Sequence, residues 1–199
     1  RKSLIDVTLG NGEADLVLTN ARLFYTMSRE ILLSDIAIVG DRIASVALAG
    51  QQSWRAKETI DLEGRYVTPG FMDAHVHVES SMLTVREYSK ATVSQGVTLI
   101  AADPHEIGNV LGLPGMRLMF DEAKCVPLKM LLRVPARIPA MPEWLGTSGA
   151  RVDIEATGKL MDWPEALCLA GDINPQLLIR KDDEQMTKIE MAMARGMTV

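Results

Sequence analysis

Residues 65–81 read RYVTPGFMDAHVHVESS, an apolar stretch entered through Pro69-Gly70 that carries two of the chain's three histidines, two positions apart. Residues i and i+2 of a strand project to one face, so Asp73, His75 and His77 are expected to point together while Ala74, Val76 and Val78 face the other way. Two neutral imidazoles at that spacing can ligate one divalent cation, and an aspartate on the same face can add an outer contact. Two core histidines bonded to backbone would give the same letters. The context weighs against that reading, because the strand runs into a polar segment and each buried, unsatisfied polar group costs about 1–3 kcal/mol.

Working outward, the chain changes grammar at Gly64. From Ala14 to Leu62 it reads as short strands with turns between them: ADLVLTNARLFYT, DIAIVGDRIASVA and ETIDL. Gly40-Asp41 sits between two alternating runs, the position of a tight hairpin turn. Residues 1–64 are therefore expected to form a small β-rich subdomain of the sandwich type, and residues 65–199 a second domain. In the second part strands alternate with helices. Thr84 with Glu87 has the capping-box pattern ahead of one helix, Asp153 opens another, and a last helix runs from Asp182 to Arg195 with Met186, Ile189 and Met193 as its apolar side. Strands begin near residues 66, 97, 128, 166 and 197, about thirty residues apart, the spacing of βα units. Periodicity alone leaves two architectures open: part of a (β/α)8 barrel, with about four and a half units present, or a complete doubly wound sheet.

Composition narrows the partners. A net charge of −5 and the lack of a basic run offer nothing to nucleic acid or an anionic membrane, and no apolar run approaches the ~20 residues of a membrane span. The opening RKSLIDVTLGNGEADLV has no secretory pattern, so a cytoplasmic location is expected. Cys125 and Cys168 lack a CxxC spacing and read as reduced and buried. A small-molecule substrate is the expected partner, and self-association is left open.

At these residues the chain resembles a family. TPGFMDAHVH is similar to the first-strand signature of the amidohydrolase superfamily, and HVHVESSM, ADPHEIGNVLG (102–112) and the opening LIDVTLGNGEADLVLTNARL resemble its adenine deaminase branch. The resemblance implies a barrel with two divalent metal ions, manganese, iron or zinc, held by the HxH of strand 1, a carboxylate on strand 4 and residues of later strands. Here that assigns His75 and His77 as metal ligands and Asp172, in Gly171-Asp172, as the strand 4 carboxylate. Asp172 is one methylene shorter than the glutamate found in that branch, and a loop or capping role before Asn174-Pro175 fits it equally. The implied reaction is deamination of a purine base, adenine to hypoxanthine with release of ammonia, by a metal-activated hydroxide.

The DPHEIGNV segment follows strand 2, so Asp103, His105 and Glu106 are expected on a loop at the barrel mouth. His105 and Glu106 are the catalytic candidates, by pocket formation or proton handling; the structural alternative is a turn at Asp103-Pro104 with Glu106 capping a helix. Arg137, in the proline-rich VPARIPAMPEW, would favour a more anionic substrate if it faced the site and is otherwise solvated or paired. Further metal ligands implied by the resemblance would lie beyond Val199, so the 199 residues are expected to be a fragment without turnover of its own. Two other functions remain: a cyclic amide hydrolase of the dihydroorotase or hydantoinase type, against which LCLAGDI lacks a strand 4 lysine, and a non-catalytic degenerate homologue.

Overall fold

The computed structural model describes residues 2–141, 145, 147–171 and 173–199. The chain divides into two compact units, Arg1–Pro69 and Gly70–Val199.

The first unit opens with a helix the sequence reading did not anticipate, α1 (Lys2–Thr8), whose Val7 is buried with Ala14, Val17, Ala37 and Trp54. Five strands follow: β1 (Glu13–Tyr25), β2 (Glu30–Val39), β3 (Arg42–Leu48), β4 (Arg55–Asp61) and β5 (Tyr66–Val67). Their sheet has the order β3-β2-β1-β4, with β5 also on β1. Val39 pairs with Arg42 across Gly40-Asp41, and Gly40 takes φ +57, a left-handed conformation that glycine adopts without a steric penalty. Asp35 is buried because it has backbone work: Oδ1 accepts from Asn20 N and Oδ2 from Gly50 N, both at 2.9 Å. The first of these secures the irregular stretch of β1 between Leu18 and Ala21. Tyr66 and Val67 pair with Arg22 and Leu23. They therefore lie in the first unit instead of opening the second, and the break falls at Pro69-Gly70.

The second unit alternates strand and helix: β6 (Phe71–Val76), a short 3-10 turn (Val78–Ser81), α2 (Val85–Val93), β7 (Val97–Ala102), α3 (His105–Ala123), β8 (Lys129–Pro135), α4 (Ile154–Met161), β9 (Ala166–Ala170), α5 (Pro175–Ile179) and α6 (Asp183–Ala194). The four strands pair in parallel in the order β6-β7-β8-β9. Among the described strands that order has no reversal, whereas a doubly wound sheet turns back at its switch point. Thr198 bridges to Cys168 in parallel, where a further strand was expected. The helices cover one face of the sheet over a core that includes Ile100, Phe120, Leu132, Val134, Leu160 and Leu169, all at most 1% exposed. Each such side chain contributes about 1.5–3 kcal/mol.

The caps explain where helices start. Thr84 accepts from Glu87 N at 3.4 Å and Asp153 from Ala156 N at 2.8 Å. The Thr84 capping box is only half formed, since Glu87 turns to Lys90. In α6 the expected apolar side is met in part: Ile189 packs against the core, Met193 is 66% exposed, and Gln185, Lys188 and Ala192 are the buried positions. Lys188 Nζ is satisfied there by Ala136 O at 3.1 Å, Val152 O at 2.9 Å and Glu184 Oε1 at 2.8 Å. The cysteines also differ from expectation, Cys125 being exposed in the turn after α3 and Cys168 half-buried. Among the described residues no helix is long and apolar enough to cross a membrane.

Candidate metal centre

The site begins with an irregularity in β6. Asp73 pairs with Ile100 and Val76 with Ala102, so three steps on β6 match two on β7. One extra residue at Ala74-His75 bends the strand and re-aims its side chains, as bulges beside active sites do. It also breaks the expected alternation. Asp73 does not join the imidazoles; its Oδ1 accepts from His75 N at 3.0 Å.

The carboxylate that does join them is Asp103, the first residue past β7, whose N donates to Val76 O at 2.9 Å. His75 Nε2 lies 3.2 Å from His77 Nε2 and 3.6 Å from Asp103 Oδ2. His75, His77 and Asp103 thus offer three ligand atoms within 4.8 Å of one another. The Asp103 side chain is 1% exposed while that of His75 is 50% exposed. Asp103 Oδ1 contacts His105 Nδ1, and Oδ2 is buried with no hydrogen bond. A buried carboxylate oxygen left in that state is costly, and a cation between it and the two imidazoles would satisfy it. The donor set, two neutral nitrogens and one carboxylate, suits a divalent metal.

His105 and Glu106 do not lie on a loop. They form the first turn of α3, with Pro104 at the N-cap and Gly108 N bonded to Pro104 O at 3.0 Å. A proline preceding the first turn is compatible with helix initiation because the missing N–H would have no intrahelical partner. From there Glu106 reaches back: Oε2 is 3.1 Å from His77 Nδ1, and Oε1 accepts from Ser80 Oγ at 3.0 Å. Glu79 Oε1 accepts from Ile107 N at 3.2 Å, capping the same turn. Burial pushes the Glu79 carboxyl up, with the neighbouring Glu106 adding to the effect.

A cleft of about 300 Å³ contains the cluster, lined in addition by Asn109, Ala140 and Gly171. Gly171 takes φ +60, and a Cβ there would come within 2.4 Å of His105 Cε1 and 2.5 Å of Asp103 Oδ2. The end of β9 can approach the site this closely only as glycine. Asp172, the expected strand 4 carboxylate, lies outside the described residues. Arg137 lines a neighbouring cavity of about 450 Å³ with Arg151, Asp182 and Glu184. The sequence reading expected Asp103 at the mouth near the HxH, with a turn at Asp103-Pro104 as the alternative, and did not name it among the ligands; its position immediately after the strand next to the HxH was the available signal.

Comparisons with known proteins give the family. The amidohydrolase family model matches residues 66–198. The chain is 38% identical over 198 residues to Adenine deaminase 3 of Rhizobium meliloti (strain 1021), covering 98% of this chain and 33% of that protein. It is 42% identical over 183 residues to the adenine deaminase of Clostridium botulinum (strain Loch Maree / Type A3), covering 91% and 30%. A crystal structure of an adenine deaminase aligns with a TM-score of 0.60 at 25% identity, over 89% of this chain and 49% of that one. The chain spans about a third of the length of the curated relatives it matches.

Proposed function

Because this chain belongs to the amidohydrolase family, we propose that it supplies the first part of the active site of a metal-dependent aminohydrolase that converts adenine and water to hypoxanthine and ammonia. The observation that carries the reading is the convergence of His75, His77 and Asp103 on one point, with Glu106 behind His77. The similarity to adenine deaminases over nearly the whole chain supports the substrate class, a purine base. The unreversed parallel arc β6-β7-β8-β9 supports its placement as about four and a half units of a (β/α)8 barrel; the sandwich-type subdomain expected before it is represented among the described strands by a single sheet. The acidic net charge offers no attraction to nucleic acid or an anionic membrane and so favours a small-molecule partner; a cytoplasmic place in purine metabolism is part of the same proposal.

His75, His77 and Asp103 would hold one divalent cation, and Asp172 is the candidate to bridge a second, with manganese, iron and zinc all compatible with the donors. Bound there, such cations supply Lewis-acid activation of water at neutral pH. The chain's own residues set the conditions. Glu106, accepting from His77 Nδ1–H, leaves the His77 Nε2 lone pair toward the cluster. Asp103 provides the buried negative charge, and His105, in contact with Asp103 Oδ1, holds that carboxylate in place. Glu106 and His105 both line the cleft and are the groups placed to take up and return the proton as the C6–N bond breaks and the C6–O bond forms.

Ammonia release from adenine by the intact protein tests this, with ring opening of dihydroorotate and hydantoin followed in parallel by loss of the cyclic amide. Release from adenine is expected, with loss in His77→Asn. Metal-loaded protein that hydrolyses a cyclic amide and ignores adenine would reassign the substrate, and inertness to all three would refute catalysis.

A further inference from the structure

Beneath the cluster lies a charge that the proposed reaction does not use. In β8, Met130, Leu132 and Val134 are buried in the core under the helices, so Leu131 and Arg133 face the opposite side of the sheet, the side toward Asp103. An arginine in so apolar a strand needs partners. Arg133 Nη1 donates to Ala74 O at 3.0 Å, and its Nε lies 4.0 Å from Asp103 Oδ2. β6 and β8 are not neighbours, because β7 lies between them. The guanidinium therefore reaches across β7 and joins the first strand to the third. Its anchor on β6 is the residue at the bulge, immediately before His75. A single rigid fork thus donates to the peptide that carries His75 and forms an ion pair, at 4.0 Å, with the carboxylate that faces His75.

We propose that Arg133 is a positioning residue of the metal centre: it holds the bulged Ala74-His75 peptide and the Asp103 carboxylate at a fixed offset, so that His75 Nε2 and Asp103 Oδ2 are presented together to a cation. This rests on the metal-centre reading of His75, His77 and Asp103. A different role, a cation that merely competes with metal for Asp103, predicts the opposite effect on affinity when the charge is removed.

The test is titration of the metal-free intact protein with Co²⁺, read by its visible absorption spectrum and by competition with a chelator, in the unaltered protein, Arg133→Met and Arg133→Lys. Arg133→Met is expected to bind Co²⁺ at least tenfold more weakly, with displaced absorption bands. Arg133→Lys keeps the charge but not the planar fork, so it should recover part of the affinity while its bands stay displaced. Unchanged affinity and bands in Arg133→Met, or tighter binding, would overturn the proposal. If that variant fails to fold, bands in Arg133→Lys identical to the unaltered protein's would overturn it and displaced bands would support it. Failure of the unaltered protein to bind Co²⁺ would refute the metal-centre reading and this inference with it, whereas binding that no Arg133 variant alters removes only the role of Arg133.

Discussion

The Nε2 atoms of His75 and His77 lie 3.2 Å apart. With Glu106 accepting from Nδ1–H of His77, the Nε2 of that ring carries a lone pair, so His75 must either donate to it or share a cation with it.

That relationship makes Glu106 a lever on metal binding. Glu106→Met keeps the approximate length of the side chain but removes both oxygens that can accept from His77 Nδ1–H, and a 10- to 100-fold loss of metal affinity is expected. Chelator competition on the intact protein measures it. Affinity within a factor of two of the unaltered protein would show that Glu106 does not orient His77.

Gly171→Ala places a Cβ where His105 Cε1 and Asp103 Oδ2 already are, and does so at φ +60. Left-handed backbone costs an L-residue about 1–2 kcal/mol, and the collision adds to it. A destabilisation of about 2–4 kcal/mol is expected in denaturant unfolding, together with weakened metal retention. A variant as stable as the parent would mean that the end of β9 does not pack on the cluster.

Much of this was legible in the sequence, for local reasons. The HxH spacing, the Thr84 and Asp153 caps and the Gly40-Asp41 turn depend on residues within a few positions of one another. What escaped depends on partners far along the chain. Asp103 meets His75 because β6 has one residue too many against β7, and nothing in DPHEIGNV announces that register. The same segment reads as a loop because it follows a strand, although Glu79, 28 positions before Ile107, caps the helix it begins. The burial of Lys188 likewise depends on distant partners: acceptors from α6 itself and from chain segments around Ala136 and Val152 make it tolerable.

The Lys188 site also gives a pH signature. Burial pushes the Glu184 carboxyl up, but the hydrogen bonds from Lys188 and Arg151 outweigh it and leave the group below its ordinary value. A carboxyl depressed in the fold adds stability above the ordinary glutamate range, near pH 4.3, and that stability is lost as pH falls through the depressed value. Glu184→Gln is expected to cost about 1–2 kcal/mol at pH 7, a figure kept small because solvent screens the part-exposed Glu184. The gap between variant and parent should narrow below about pH 4. Urea unfolding across that range checks it, and a gap that is constant down to pH 3 would contradict the depressed carboxyl.

The most direct measurement is the metal content of the intact protein at equilibrium, compared with that of His75→Asn/His77→Asn. The parent should retain bound divalent metal after dialysis, and the double variant, still folded by circular dichroism, should lose it. Equal metal content in the two would place the metal elsewhere and contradict the centre built on His75, His77 and Asp103.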